Sequence, residues 1–371
     1  MKTLSETEFN SYIEKYRLEY TFNKLSVNNF FSNDTNFKRY IVGKNQEALN
    51  ISKIVNIDGI VDDFGNIESW NGIKIVTSND ILNNSIILNC STSISPVQVF
   101  NKFNNLPNSS LIQLSDILYE NSNKIIVPSF ILEMIHQWEY NKIEWFNLYK
   151  SLNDETSRKT LLRLILFRLT ADIKYMKNFN IRLKEQYFEE FMNYNSEIFV
   201  DIGGFDGDTT ELFCNRFPNY EKVLFFEPSS INMISAKKRL ANFKNIFFYQ
   251  IGLSNKNEEL YFDEKLGSSS TIVDSGENKI STSTLDHQIN EPITFLKMDI
   301  EGWELKALEG CKNHIINDTP KLAITVYHNA SDFIEIPKYI LGLNSNYDIY
   351  LRHYTSGWSE TVMYFVPRNI N

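Results

Sequence analysis

The sequence predicts an α/β protein with mostly parallel sheets. Two observations carry that reading: short apolar runs alternate with helix-spaced segments, and a glycine turn in FVDIGGFDGDTTELF (residues 199–213) joins one such run to a helix. After about Ser196 the runs EIFVD, KVLFFEP, NIFFYQIGLS, ITFLKMD and KLAITVY recur with helical stretches between them. YDIYLRHYTSGWSETVMYFVP then closes with two apolar runs around Thr355-Ser356-Gly357, the pattern of an antiparallel hairpin on a largely parallel sheet. A smaller alternation comes earlier, with strands predicted at residues 39–42, 57–61, 74–76 and 86–89. The organisation expected is a helical segment at 1–36, a small nucleotide-fold-like α/β domain at 37–125, a helical connector at 126–195 and a second α/β domain at 196–371. KLGSSSTIVDSGENKISTSTLD interrupts the rhythm of the second domain and reads as a mobile flap or edge hairpin.

A chain of 371 residues exceeds the size at which single cores stop growing. Its 42% hydrophobic and 22% charged residues fit a soluble globular protein. A net charge of −9 and a pI near 5.3 argue against nonspecific nucleic-acid binding. Anionic substrates stay open, because a local pocket can differ from the average. No apolar run approaches the ~20 residues of a membrane helix, and MKTLSETEFN lacks the apolar core of a secretion signal, so a cytoplasmic protein without a membrane span is expected. Cys90, Cys214 and Cys311 are dispersed and odd in number, which suggests reduced thiols and no structural metal cluster. Aromatic residues make up 14%; sugars pack on such faces, although core packing is the commoner use. The asparagine-rich composition is associated with a low-GC bacterial source and would fit surface-glycan biosynthesis.

The glycine turn is full of carboxylates. Asp201 precedes it, Asp206 and Asp208 lie within it, and no lysine follows, so a pyrophosphate would be repelled and a cationic ligand is expected. Asp201, Glu227 and Asp299 each follow an apolar run, at strand ends where ligands of open parallel sheets sit. Glu227 suits two ribose hydroxyls, each charge-assisted bond being worth ~1.5–3 kcal/mol. Asp201 and Asp208 flank a place for an ammonium group. Ribose, amino-acid cation and sulfonium together describe S-adenosylmethionine.

Bland readings stand beside these. Asp206 or Asp208 can cap the following helix, Glu227 before Pro228 can end a strand, and Asp286 in STLD can cap. Asp299 and Glu301 alternate about Ile300, so on a strand they share a face. They can hold a divalent cation, position a hydroxyl or steady the turn at Gly302. Metal is the minority reading because no third ligand is evident, and its identity is unknown. His328 in YHN and His353 in RHY fall near strand ends, where a group titrating near neutrality can accept a proton from a sugar hydroxyl. His136, His287 and His314 read as surface residues. Arg352 can meet a substrate phosphate or pair with a surface acid. VGKNQEA holds one glycine of a dinucleotide turn, so docking or recognition is the better reading of the first domain, with Asp62 and Asp63 suited to ribose hydroxyls.

The order VDIGGFDGD, FFEP, FLKMDIEGWELKALEG, with STSTLD before the third motif and YH after the next strand, resembles the FkbM family of S-adenosylmethionine-dependent methyltransferases. The resemblance covers roughly residues 183–367, about half the chain, and leaves out 1–125. ADIKYM and EQYFEEF resemble the lead-in of a sugar-associated branch. The family resemblance implies a Rossmann-like class I methyltransferase domain in which Asp201, Gly203 and Gly204 shape the methionine pocket. Glu227 would take the ribose, Ile251, Gly252 and Leu253 would flank adenine, and Tyr187 would reach the cofactor carboxylate. TVYHN departs from the pattern where many relatives keep an acid, so the base stays open among Asp299, His328 and His353, with Glu301 in support. Arg352 and the flap at 266–271, including Ser269, would face the substrate.

The activity implied is methyl transfer to a hydroxyl of a sugar, nucleotide-linked or a surface-glycan (capsule) precursor. Two alternatives are a non-catalytic nucleotide-sugar or carbohydrate-binding protein on the same fold, and a dinucleotide-dependent oxidoreductase working through the first domain. The sequence is compatible with a homodimer.

Overall fold

The computed structural model describes residues 3–33, 36–65, 67–121, 123–263, 271–273 and 278–368. The chain forms two compact units that do not follow its order: Met1–Phe146 with Lys159–Arg182 and His353–Glu360, and Asn147–Arg158 with Leu183–Arg352 and Thr361–Asn371.

The first unit opens with helices Glu6–Leu18 and Lys24–Phe31; Ser5 and Glu8 cap the former reciprocally, at 2.7 and 3.3 Å. Its sheet contains β1 (Lys38–Val42), β2 (Gly59–Val61), β3 (Ser69–Trp70), β4 (Ile73–Val76), β5 (Ser85–Asn89) and β6 (Ser109–Gln113), ordered β3-β4-β2-β1-β5-β6. All neighbours are parallel except β3 and β4. The four strands read from sequence are present within one or two residues. β3 and β6 lacked a signal, being short or half polar.

Alternation along the strands divides the core. Ile41, Ile60, Ile86, Leu88 and Ile112 pack with Val27, Phe30, Ala48, Ile51 and Ile117, while Tyr40, Val61, Val76 and Ile87 pack with Phe103. Helices Ser129–Tyr140, Lys142–Ser151 and Glu155–Thr170 follow in sequence.

The parallel order β4-β2-β1-β5-β6 reverses between β1 and β5, the place where nucleotide folds open a crevice. In this unit the chain itself binds to the segment after β5. Backbone amides of Ser356, Trp358 and Ser359 donate to the carbonyls of Ile94, Thr92 and Ser93 at 2.9, 3.1 and 3.1 Å. A Cβ on Gly357 would stand 2.1 Å from the Ser93 oxygen, so only glycine passes here. Asp62 is held by Lys44 and the Phe64 amide, and Asp63 by Lys102 and the Ser78 amide, so both acids considered for ribose are engaged within the protein.

His353 belongs to this unit and does not fill the role of base considered from sequence. It is 2% exposed, with its ring edge-on to Phe179 at 4.9 Å and the Thr355 hydroxyl 3.3 Å from Nε2. Burial, reinforced by Arg168, pushes its pKa down to about 3. A neutral imidazole sealed in a core cannot take a proton from a substrate.

The second unit has a seven-stranded sheet of β7 (Ile198–Ile202), β8 (Lys222–Phe226), β9 (Ile246–Tyr249), β14 (Phe295–Met298), β15 (Lys321–Thr325), β16 (Tyr347–His353) and β17 (Thr361–Pro367), ordered β16-β17-β15-β14-β7-β8-β9. A separate four-stranded sheet contains β10 (Gly252–Leu253), β11 (Glu258–Asp263), β12 (Thr271–Val273) and β13 (Asn278–Ser283). β17 runs antiparallel to β15, and β14, β15, β7, β8 and β9 are mutually parallel. The central strands are buried on both faces, which is why they read as continuous apolar runs. Phe199 of β7 stacks on Phe295 of β14 at 4.7 Å and meets Phe213 at 4.4 Å. The segment read as a flap supplies β12 and β13. Its residues 264–270 and 274–277, Ser269 among them, lie outside the described residues. No described helix is long and apolar enough to cross a membrane.

His353 unfolded binds a proton below a pKa of about 6.5, whereas folded it stays neutral down to about 3. Its contribution to stability is therefore complete above that unfolded value and is lost as pH falls between the two. Thermal melts of wild type and His353→Asn should converge as pH drops from neutral towards 4; parallel curves would refute the assignment.

Candidate active site at the carboxyl edge of the second sheet

β7 carries Asp201 to the start of the glycine turn, and the parallel register sets it directly opposite Lys297 of β14. The two are paired at 2.9 Å with side chains 0% and 3% exposed, and the Thr210 hydroxyl donates to Asp201 at 2.6 Å. Burial opposes the lysine charge, but Asp201 and Asp299 outweigh it and raise the Lys297 pKa. Lys297 also donates to the Gly203 carbonyl at 2.7 Å. Asp201 thus meets a lysine of its own sheet where a ligand's ammonium was expected, and acts on the pocket by holding the turn.

The turn amides are also committed internally: those of Gly203 and Gly204 both donate to the Phe226 carbonyl at 3.0 Å. Their glycine identity is a matter of space. Gly203 has φ +73°, and a Cβ there would lie 2.0 Å from the Asp299 carbonyl oxygen; on Gly204 it would lie 2.2 Å from the Phe225 ring. Two strand ends and the turn are thereby drawn into contact.

Glu227, just beyond β8, accepts from the Phe205 amide at 3.1 Å, the Ser229 amide at 2.8 Å and the Asn232 side chain at 3.3 Å. Burial raises its pKa against those donors. A carboxylate offers about four lone-pair positions, so three donors leave room for a hydroxyl. Asp206 pairs with Arg239 at 2.5 Å, and Asp208 opens the helix Asp208–Arg216, accepting from the Thr209 amide at 2.6 Å. Both therefore have local structural uses. Ile251, Gly252 and Leu253 follow β9, with Gly252 and Leu253 forming β10 against Thr282 and Ser283 of β13.

The densest chemistry stands at the ends of β14 and β15. Asp299 accepts from the Tyr187 hydroxyl at 2.6 Å, so Tyr187 reaches an acid of this cluster. The Thr325 hydroxyl lies 3.3 Å from Asp299 Oδ1 and 3.1 Å from Glu304 Oε1. Glu304 is fully buried and accepts from the Ile300 amide at 2.9 Å. His328 places Nδ1 3.1 Å from Glu304, and Nε2 3.3 Å from Glu301 and 3.7 Å from Asp299. Burial opposes a charge on this imidazole, but Glu304, Glu301 and Asp299 prevail and hold its pKa well above the ordinary value. His328 in turn lowers the Glu304 carboxyl against its burial. Nearby Asp332 is pushed up to about 6, by burial and then by Glu304. Tyr187 (φ +71°) and Glu301 (φ +56°) both adopt the left-handed backbone that is costly for residues with a Cβ, and both serve this cluster.

The Asp299–Glu301 pair, His328 and Tyr187, each named from sequence, are brought together here. Arg352 is bound by Asp154 at 2.6 Å and by Ser157 at 2.8 Å, with its guanidinium over Phe191 at 4.9 Å; of its two sequence readings, pairing with an acid is the one realised. Sequence reasoning missed Lys297, Glu304 and Thr325. Lys297 had a visible signal, a charge inside the apolar run FLKM, whereas Thr325 ends an ordinary strand.

The strand order, with one antiparallel strand inserted beside β15, defines a Rossmann-like methyltransferase fold. Residues 201–349, which lie within the second unit, match the family model of the methyltransferase FkbM domain. Over 97% of this chain and 100% of the other, the structure superimposes on methyltransferase FkbM from Methylobacillus flagellatus, with a TM-score of 0.71 and 21% identity. More remote are a putative rRNA methylase from Clostridium thermocellum (TM-score 0.32, 9% identity, 48% of this chain and 92% of that one) and Aeropyrum pernix fibrillarin with natively bound S-adenosyl-L-methionine (0.31, 10%, 50% and 71%). No curated protein matches the chain.

Removing one member of a buried ion pair costs about 3–5 kcal/mol. Asp201→Ala, which strands Lys297, should lower the urea midpoint far more than Glu227→Ala; equal effects would show the pair to be unimportant. Gly204→Ala should cost roughly 1–3 kcal/mol by overpacking against Phe225, whereas Ala at Gly342, with nothing within 4 Å, should be tolerated.

Proposed function

We propose that this protein is an S-adenosylmethionine-dependent O-methyltransferase acting on a sugar hydroxyl. The observation that carries the reading is the gathering of Asp299, Glu301, Glu304 and His328 at the carboxyl edge of an FkbM methyltransferase domain, beside the closely packed turn at Gly203-Gly204. The residues fit the cofactor in a revised sense. Glu227 keeps acceptor capacity for ribose hydroxyls and Gly252 stands beyond the next strand for the base, while Asp201 and Lys297 hold the turn from beneath.

S-adenosylmethionine supplies an electrophilic methyl group on a sulfonium. The protein must hold the acceptor oxygen in line with that methyl and remove the hydroxyl proton, and alignment alone can contribute ~7–11 kcal/mol. His328, held in its charged form by three carboxylates, has no vacancy for the proton and acts as their counter-charge. Asp299, oriented by Tyr187 and Thr325, is the proton acceptor, with Glu301 beside it. A sugar hydroxyl is an acceptor whose proton such carboxylates can take. The first unit, with its acids already paired, would recognise or dock the substrate carrier and not bind a dinucleotide.

Calorimetric titration with S-adenosylmethionine tests the cofactor: Glu227→Gln should weaken binding by roughly tenfold to a hundredfold, as expected for a lost charge-assisted bond. Asp299→Asn should bind normally and lose at least ~100-fold in turnover with a nucleotide-sugar acceptor. Unchanged affinity in the first variant would remove the ribose assignment. Cofactor binding without turnover on any sugar would remove the acceptor.

A further inference from the structure

We propose that Asp299, Glu304 and His328 form a binding site for a first-row divalent cation of the Mn2+ type. One oxygen or ring nitrogen from each lies within 4.8 Å of the others. The ligands come from three places in the fold: the end of β14, the start of helix Glu304–Glu309 and the segment after β15. A site so built is fixed by the sheet and not by one loop.

Unsatisfied atoms give the second observation. Glu304 is 0% exposed and the His328 side chain 9%, yet Glu304 Oε2 and both ring nitrogens of His328 make no hydrogen bond among the described residues. Carboxylate oxygens stand 3.1–3.7 Å from the ring nitrogens. Buried polar atoms are almost always paired, so Glu304 Oε2 and a ring nitrogen of His328 call for a partner, and a single cation would take one of the two ring nitrogens. The groups behind them are positioned as metal sites require: Tyr187 and Thr325 orient Asp299, and the Ile300 amide orients Glu304. Binding would displace the proton that the carboxylates favour on His328 in the cation-free protein; one neutral imidazole with two carboxylates then suits Mn2+, Fe2+, Co2+ or Zn2+, whereas Mg2+ and Ca2+ prefer oxygen alone. Glu301, 26% exposed and 3.3 Å from Nε2, borders the site on its open side. A cation here would bind the acceptor hydroxyl and lower its pKa, easing proton loss to Asp299 or Glu301. That last step rests on the methyl-transfer reading; the site itself does not.

The test uses the full chain, freed of metal by a chelator. Mn2+ is titrated against it with the free-ion electron paramagnetic resonance signal as readout, and Co2+ is followed by its visible ligand-field bands. Expected are saturable binding of a single ion per chain, Co2+ bands characteristic of nitrogen and oxygen ligands, and little competition from Mg2+. His328→Gln, close in volume, and Glu304→Gln should each weaken Mn2+ binding by roughly tenfold or more, with unchanged circular dichroism. Absence of binding by folded wild type, or equal binding in both variants, overturns the proposal and leaves the cluster as a charge network centred on His328. S-adenosylmethionine calorimetry on the same sample separates the two readings. Cofactor binding without Mn2+ sinks the cation site alone, and Mn2+ without cofactor sinks the methyl-transfer reading alone.

Discussion

Everything at the candidate site depends on the buried pair of Asp201 and Lys297. Two opposite charges inside a parallel sheet are tolerable only if they meet, and a shift of one residue between β7 and β14 would separate them. Register is therefore specified by electrostatics as well as by apolar matching. With the register set, the Lys297 ammonium reaches past the strand ends to the Gly203 carbonyl, and the turn closes on Asp299. The pair makes the first strand end and the fourth one rigid piece. Asp299 inherits its position from that piece, and with it the histidine cluster.

The division of labour among acids follows from burial. On the methyl-transfer proposal, Asp201, wholly enclosed and paired with Lys297, shapes the turn; Glu227, enclosed but with acceptor capacity left, takes a ligand; Asp299 and Glu301, which retain access to solvent, receive the substrate's proton. All four were visible as acids at strand ends or turns. What the linear pattern could not provide was the partner each would find, because a parallel neighbour lies many residues away.

The same reasoning explains what was legible. The parallel core could be read because strands such as KVLFF and FLKM are apolar throughout, and the glycine turn because only glycine permits its contacts. β6, with SSLIQ, gave no alternation to detect. Glu304 and Thr325 looked like ordinary helix and strand residues, and their importance arises only where two strand ends and a helix start converge. His353 misled because a histidine at a strand end looks the same in sequence whether it ends in a cleft or in a core. Its neighbours Arg168, Phe179 and Arg182 come from a distant stretch of chain.

The segment His353–Glu360 connects two strands of the second unit yet belongs to the first, where it supplies donors to the carbonyls of Thr92, Ser93 and Ile94. A fragment cut from the amino-terminal third of the gene would lack those donors and leave three acceptors open after β5. The first unit is accordingly not excisable as a contiguous piece. Its completion waits for residues 353–360, which follow residues 183–352 of the second unit along the chain.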